Sequence, residues 1–133
     1  MAIEKAKRAL ARAKGQLERV QTASWDPKDP EMAVMMAFYA YENCVAAVAE
    51  AVNLPLTKDH KIKANLARDL FKRGLVSRDI GDDLQELNEL RKDVQYGEPG
   101  DELQEKDLED LAIELENFIV ELESLIDKRA QGR

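Results

Sequence analysis

The sequence predicts an all-α protein, an up-and-down bundle of about five helices, and three observations predict it. Hydrophobic residues make up 44% and charged residues 35% of the 133 positions, with only six Gly and four Pro, a composition of helix formers around a core. Apolar residues recur at spacings of three and four within blocks separated by Pro or Gly. No stretch keeps the alternation of a half-buried strand. The length suits one domain over residues 1–133 with a real core.

The first helix is expected over Ala2–Ala23, where Ile3, Ala6, Leu10, Ala13, Leu17 and Val20 form a seam of alternating three and four spacings. The segment SWDPKDP breaks it, because Pro27 and Pro30 disfavour helix in the residues before them. Trp25 is expected to cap that end of the bundle. The second helix starts at Asp29, with Pro30 as its first residue, and runs to about Asn53, before Pro55. It is apolar almost all round, so it is either central or shared between the core and a partner. A third helix is expected from Thr57, a plausible N-cap, to Lys72, with Ile62, Leu66 and Leu70 as its stripe and Gly74 beyond its end. A fourth starts at Ser77 as N-cap and ends at Gly97. A fifth runs from about Glu102 to Lys128 on Leu108, Leu111, Leu115, Phe118, Leu122 and Leu125.

Charge is unevenly spread over the net −7. Residues 1–20 carry six Lys/Arg against two Glu, and residues 98–123 carry eleven Asp/Glu against one Lys. The molecule as a whole is a poor non-specific nucleic-acid binder. A local basic face remains able to hold RNA, opposite patches can pair between subunits, and the plainest reading of both runs is a solvated helix face. The longest wholly apolar run, Met32–Tyr41, has ten residues, too few to span a bilayer, so no membrane association is expected. Met1 leads straight into an amphipathic Lys/Arg-rich segment without a signal pattern, and Cys44 stands alone. A reducing cytoplasmic setting is expected.

The catalytic motifs of common enzymes are missing. The glycines do not form a phosphate loop, Ser24, Ser77 and Ser124 have no neighbouring His, and no His/Cys set suits zinc. Glu114 with Glu121 is a weak metal pair without the Glu-x-x-His repeats of di-iron bundles, so neither metal nor cofactor is expected. What remains is LNELRKDVQYG. Arg91 lies within about 40° of Leu87 on the apolar face of the fourth helix. A guanidinium there keeps its proton and needs a carboxylate, a phosphate or carbonyl oxygens. Glu42, embedded among Tyr39, Tyr41 and Ala46, is the expected carboxylate, with Asn43 beside it or the same groups of a second protomer. Arg91→Ala is then expected to cost about 3–5 kcal/mol, by leaving a buried carboxylate unpaired. The plain alternatives are an Arg snorkelling from the edge of the core, and a Glu that bonds a Tyr hydroxyl or is half exposed. Tyr96 points about 140° from Arg91 in a continuous helix, so the two converge only if the helix ends at Gly97 and Tyr96 turns back. Asp93 and Gln95 are supporting candidates on the same helix end. His60, in the charged first turn of the third helix, is read first as an exposed side chain and only speculatively as a base.

Three pieces of this sequence carry a family resemblance: AFYAYENCVAAVAEAV, DHKIKANLARDLFKRG and above all LNELRKDVQYG. Over roughly Met32–Ile126, or a core of about residues 30–128, the chain resembles the HEPN superfamily, whose motif is an Arg, four to six residues, then a His. Arg91 matches the Arg, and Tyr96 holds the place of the His, as in an Arg-x4-Tyr branch. The resemblance implies a helical bundle, usually a homodimer whose motifs meet across the interface. It also implies metal-independent endoribonuclease or RNA- and nucleotide-binding roles in toxin–antitoxin and defence systems, often beside a nucleotidyltransferase. The Tyr matters chemically, because an imidazole titrates at about 6.5 and a phenol at about 10. General acid–base help is worth about 10²–10⁴-fold, so little or no cleavage is expected from this chain. The competing expectation is a non-catalytic dimeric module for a protein partner such as a nucleotidyltransferase.

Overall fold

The computed structural model describes residues 2–55, 60–97 and 100–132, with only the backbone given for 60–62. Six helices are present among them: α1 (Ala2–Ala23), α2 (Pro30–Ala51), α3 (His60–Lys72), α4 (Gly81–Gln95), α5 (Asp101–Gln104) and α6 (Leu108–Gln131). The all-α expectation holds, with one short helix more than the sequence predicts.

α1 buries the predicted seam, with Ala6, Leu10, Ala13, Leu17 and Val20 inside and Ile3 half-buried. It forms a hairpin with α2 and also lies against α6. The turn follows the Pro logic: the Asp29 carboxylate accepts from Met32 N at 3.1 Å, and Pro30 opens α2. Trp25 does not cap the bundle. It stands 65% exposed, because the turn is closed by backbone and Ser24 hydrogen bonds rather than by apolar packing.

α2 is the central helix, in contact with α1, α3, α4, α5 and α6. That position accounts for its all-round apolarity, so the composition of this helix no longer argues for a partner subunit. It is long and apolar enough to cross a membrane by length and composition, further than the ten-residue run suggests, since apolar residues resume after Glu42 and Asn43 and reach Ala51 with Glu50 among them. Most of it is nevertheless buried in the bundle. Its alanines at 33, 37, 40, 47 and 49 are fully enclosed and let neighbouring helices approach closely.

The expected start of the third helix at Thr57 lies outside the described residues. At its other end Gly74 N donates to Phe71 O and Leu75 N to Leu70 O, both at 3.0 Å, the paired bonds of a Schellman stop. α4 starts three residues later than expected, with Ile80 rather than Ser77 at its N-cap. Ser77 is not its N-cap, because Glu121 of α6 takes both the Ser77 N–H at 2.7 Å and the hydroxyl at 2.6 Å. Asp79 turns the chain instead by accepting from Gly81 N at 2.9 Å. The expected fifth helix is broken into two. Asp107 caps α6 by accepting from Asp110 N at 3.0 Å, and Leu103 in α5 is fully buried as a plug.

Candidate anion site around Arg91

Ile80, Leu84, Leu87 and Leu90 turn inward at the three–four spacing of one helix face, and they carry Arg91 with them to 7% exposure. Its guanidinium lies over the Phe38 ring, with the central carbon 4.9 Å from the ring centroid. Asn88 Oδ1 accepts from Nε at 3.2 Å and from Nη2 at 2.6 Å, and Gln95 Oε1 accepts from Nη1 at 2.9 Å. Three of the five N–H donors are thus used, each on a neutral amide oxygen. No ion pair with a carboxylate is formed by Arg91 among the described residues.

The expected Arg91–Glu42 pair is therefore replaced by another. Glu42 is 6% exposed, as its apolar surroundings predict, but its Oε1 faces Lys63 Nζ of α3 at 3.7 Å. Nothing local distinguishes Lys63 in the sequence, where it reads as one charge among many in a basic stretch. Asn43 points to α1, where its Nδ2 donates to Gln16 Oε1 at 2.9 Å and its Oδ1 accepts from Arg12 Nε at 3.5 Å. One turn of α2 thus sends Glu42 to α3 and Asn43 to α1. Phe38, the true neighbour of Arg91, lies one turn earlier and reads as ordinary core.

Gly97 ends the fourth helix as expected, at φ +73°, with its N–H donating to Val94 O at 3.1 Å. Tyr96 is the C-cap, and its side chain does not turn back: it is 74% exposed, with no hydrogen bond or ring contact to Arg91. Gln95 occupies that role. Asp93 is exposed. His60 opens α3, and its side chain lies outside the described residues.

A groove of about 560 Å³ runs between α2, α3 and α4 and is lined in part by Phe38, Ala64, Leu84, Asn88, Glu89 and Lys92. It shares Phe38 and Asn88 with Arg91, so its floor adjoins the guanidinium. Its acidic rim is partly neutralised, because Asp82 pairs with Arg68 at 2.7 Å and Glu86 with Lys106 at 2.9 Å. Glu121, half of the acidic pair noted in the sequence, is occupied by Ser77.

A buried cation held by an aromatic face and amide oxygens, with no carboxylate partner among the described residues, attracts an anion. The guanidinium's bonds to these amide oxygens bring it no opposite charge, whereas bonds to a phosphate add a counter-ion and can be bidentate. A phosphate oxygen that reached the guanidinium would compete with Asn88 and Gln95 for these donors.

A protein-family model described as HEPN domain matches residues 1–125. The match takes in α1, which lies outside the stretch where the sequence resemblance was read. No curated protein and no solved structure matches the chain.

Proposed function

The chain belongs to the HEPN domain family, and from that premise we propose that Arg91 seats a phosphate of RNA or of a nucleotide, in a protein with weak or no endoribonuclease activity. Membership points to RNA- or nucleotide-related function in general terms. The observation that carries the finer reading is the charge state of the site: Arg91 is 7% exposed and has amide oxygens as its hydrogen-bond acceptors. Tyr96, exposed at the adjoining helix end, offers a flat ring for a base to stack on. It is not the imidazole that general acid–base cleavage calls for, so phosphate binding without efficient cleavage is the chemistry this pair supports.

The test is a metal-free assay on a mixed RNA pool with wild type, Tyr96→His and Tyr96→His/Arg91→Ala. Wild type should retain RNA yet cleave little. Tyr96→His should raise cleavage, since imidazole exchanges a proton near pH 7, and the gain should vanish in the double variant, which lacks the phosphate clamp. Robust wild-type cleavage that survives loss of both residues places the active site elsewhere. No RNA retention by wild type favours the protein-partner module instead. The toxin–antitoxin or defence setting in a cytoplasm is part of the same proposal, and an adjacent nucleotidyltransferase gene is the observation that supports it.

A further inference from the structure

A second cation stands near Arg91 on another helix. α3 and α4, joined by the link 73–80, pack side by side and antiparallel, with Arg68 Nη2 bonded to Asp82 Oδ1 at 2.7 Å and to Gln85 Oε1 at 3.1 Å. One turn back along α3 is therefore one turn forward along α4, and Ala64 lines the same groove as Asn88. Lys63 comes immediately before Ala64, at the level of the amide that holds Arg91. Its side chain, 17% exposed, crosses to α2, where Nζ lies 3.7 Å from Glu42 Oε1. Glu42 follows Phe38 by four positions on the same face of α2, about 6 Å along the helix. The guanidinium over Phe38 and the ammonium beside Glu42 thus occupy neighbouring turns of one helix face, next to one groove.

We propose that Lys63 is a second phosphate-binding residue of the Arg91 site, which then takes a nucleoside with phosphates on both its 3′ and 5′ oxygens, the unit of a strand, in preference to a single phosphate. The inference rests on the phosphate role proposed for Arg91 and names the ligand class that this role serves. An ammonium has three N–H donors, and Glu42, the one ion-pair partner of Lys63 among the described residues, lies beyond ordinary hydrogen-bond distance. Lys63 is therefore able to keep Glu42 and still donate to a phosphate oxygen. Protein kinases use the same device on another fold, where a Glu holds the lysine that contacts phosphate. Glu42, 6% exposed, is the positioning residue, since a carboxylate turned on the phosphate itself would repel it.

Spacing selects among ligands with two phosphates. A diphosphate joins both phosphorus atoms to one bridging oxygen, closer together than cations one helical turn apart. Phosphates on the 3′ and 5′ oxygens of one ribose are held apart by the sugar. The rim of the groove limits the contact to about one such unit. Asp82 and Glu86 are paired with Arg68 and Lys106, but Glu89 is exposed there with no ion pair among the described residues, so a further phosphate along the rim meets a carboxylate.

Titration calorimetry on the full chain at constant ionic strength tests this with adenosine 5′-monophosphate, adenosine 5′-diphosphate and adenosine 3′,5′-bisphosphate. Wild type should bind the bisphosphate at least about tenfold more tightly than the monophosphate, the effect of one added charge-assisted contact. The diphosphate should gain clearly less. Lys63→Met should lose the preference for the bisphosphate and keep its affinity for the monophosphate, and Lys63→Arg should retain most of the preference. Because Lys63→Met leaves Glu42 buried beside no lysine, Glu42→Gln/Lys63→Met removes both charges and keeps the test open should the single variant unfold. It too should show no preference. Arg91→Met should weaken all three ligands. Equal wild-type affinity for monophosphate and bisphosphate, or a preference that survives Glu42→Gln/Lys63→Met, overturns the role of Lys63 and leaves the Arg91 reading standing. A gain as large for the diphosphate overturns the ligand class. Binding that is absent, or indifferent to Arg91→Met, overturns the phosphate reading itself, and the role of Lys63 falls with it.

Discussion

Arg78 and Arg91 both lay a guanidinium on aromatic rings, and they differ in what neutralises it. Arg78, with its side chain 34% exposed, has an anion: Asp83 Oδ2 accepts from Nη1 at 2.9 Å. Its Nη2 donates to the Tyr41 hydroxyl at 2.9 Å, and it sits 5.6 Å from the centroid of Phe118. Arg91 is 7% exposed, and its acceptors among the described residues are amide oxygens. Electrostatics alone predicts the reverse, because the deeper cation has the greater need of a counter-charge. The difference separates two jobs. Arg78 ties α2, α4 and α6 together as a finished contact, whereas Arg91 is held in place and left open to a ligand's charge.

The largest effect should come from removing the finished contact. Arg78→Ala loses the Asp83 pair and the stacking, and it leaves the buried Tyr41 hydroxyl without its donor, for about 2–4 kcal/mol in urea unfolding. Arg91→Met keeps the shape over Phe38 and deletes a buried charge that has no anion among the described residues, so it should cost no more than about 1 kcal/mol. The cost of about 3–5 kcal/mol expected from the sequence required a carboxylate left behind, and Glu42 keeps Lys63. Equal losses for the two substitutions would erase the distinction.

A smaller effect sharpens the comparison from the ligand side. Inorganic phosphate at ten times its Kd should stabilise wild type by about 1.4 kcal/mol, by mass action on the folded state alone. Arg91→Met should lose that gain, and a conservative change at the other arginine, Arg78→Lys, should keep it. Thermal unfolding of the three proteins with and without phosphate, at constant ionic strength, reads this directly. Stabilisation that survives in Arg91→Met would place the anion elsewhere.

The same two arginines mark what the sequence makes legible. Helical periodicity is a local property, so the seams of α1, α4 and α6, the burial of Arg91 and the stop at Gly97 can all be read from spacing. Pairing across helices depends on how far each turn is rotated, and the sequence does not state that. A rotation of about 100° per residue separates neighbours in a helix, enough to send Glu42 to Lys63 and Asn43 to Gln16. Arg78 falls at the expected start of the fourth helix, off its apolar face, where periodicity does not single out a residue. Ser77 read as an N-cap on local grounds, and a carboxylate 44 positions away took its N–H and hydroxyl.

The smallest predicted effect concerns pH at the Arg78 contact. Burial raises the Tyr41 pKa well above the usual phenol value, and the Arg78 charge and hydrogen bond only partly oppose that rise. A phenol whose folded pKa is raised keeps its proton in the native state while the unfolded chain releases one. The folded form then binds more protons than the unfolded one, so stability falls as pH climbs past the unfolded value of about 10. By pH 10.5 the wild type should have lost about 0.8 kcal/mol relative to pH 8 from this group alone. Tyr41→Phe carries no such proton, and its own loss over the same interval should be smaller by that amount, whatever offset the missing hydrogen bond causes at pH 8. Urea unfolding of both proteins at the two pH values gives the difference of differences. If the two losses are equal, Tyr41 ionises inside the folded protein, and Arg78 is then a cation open to a phenolate rather than the closed contact that distinguishes it from Arg91.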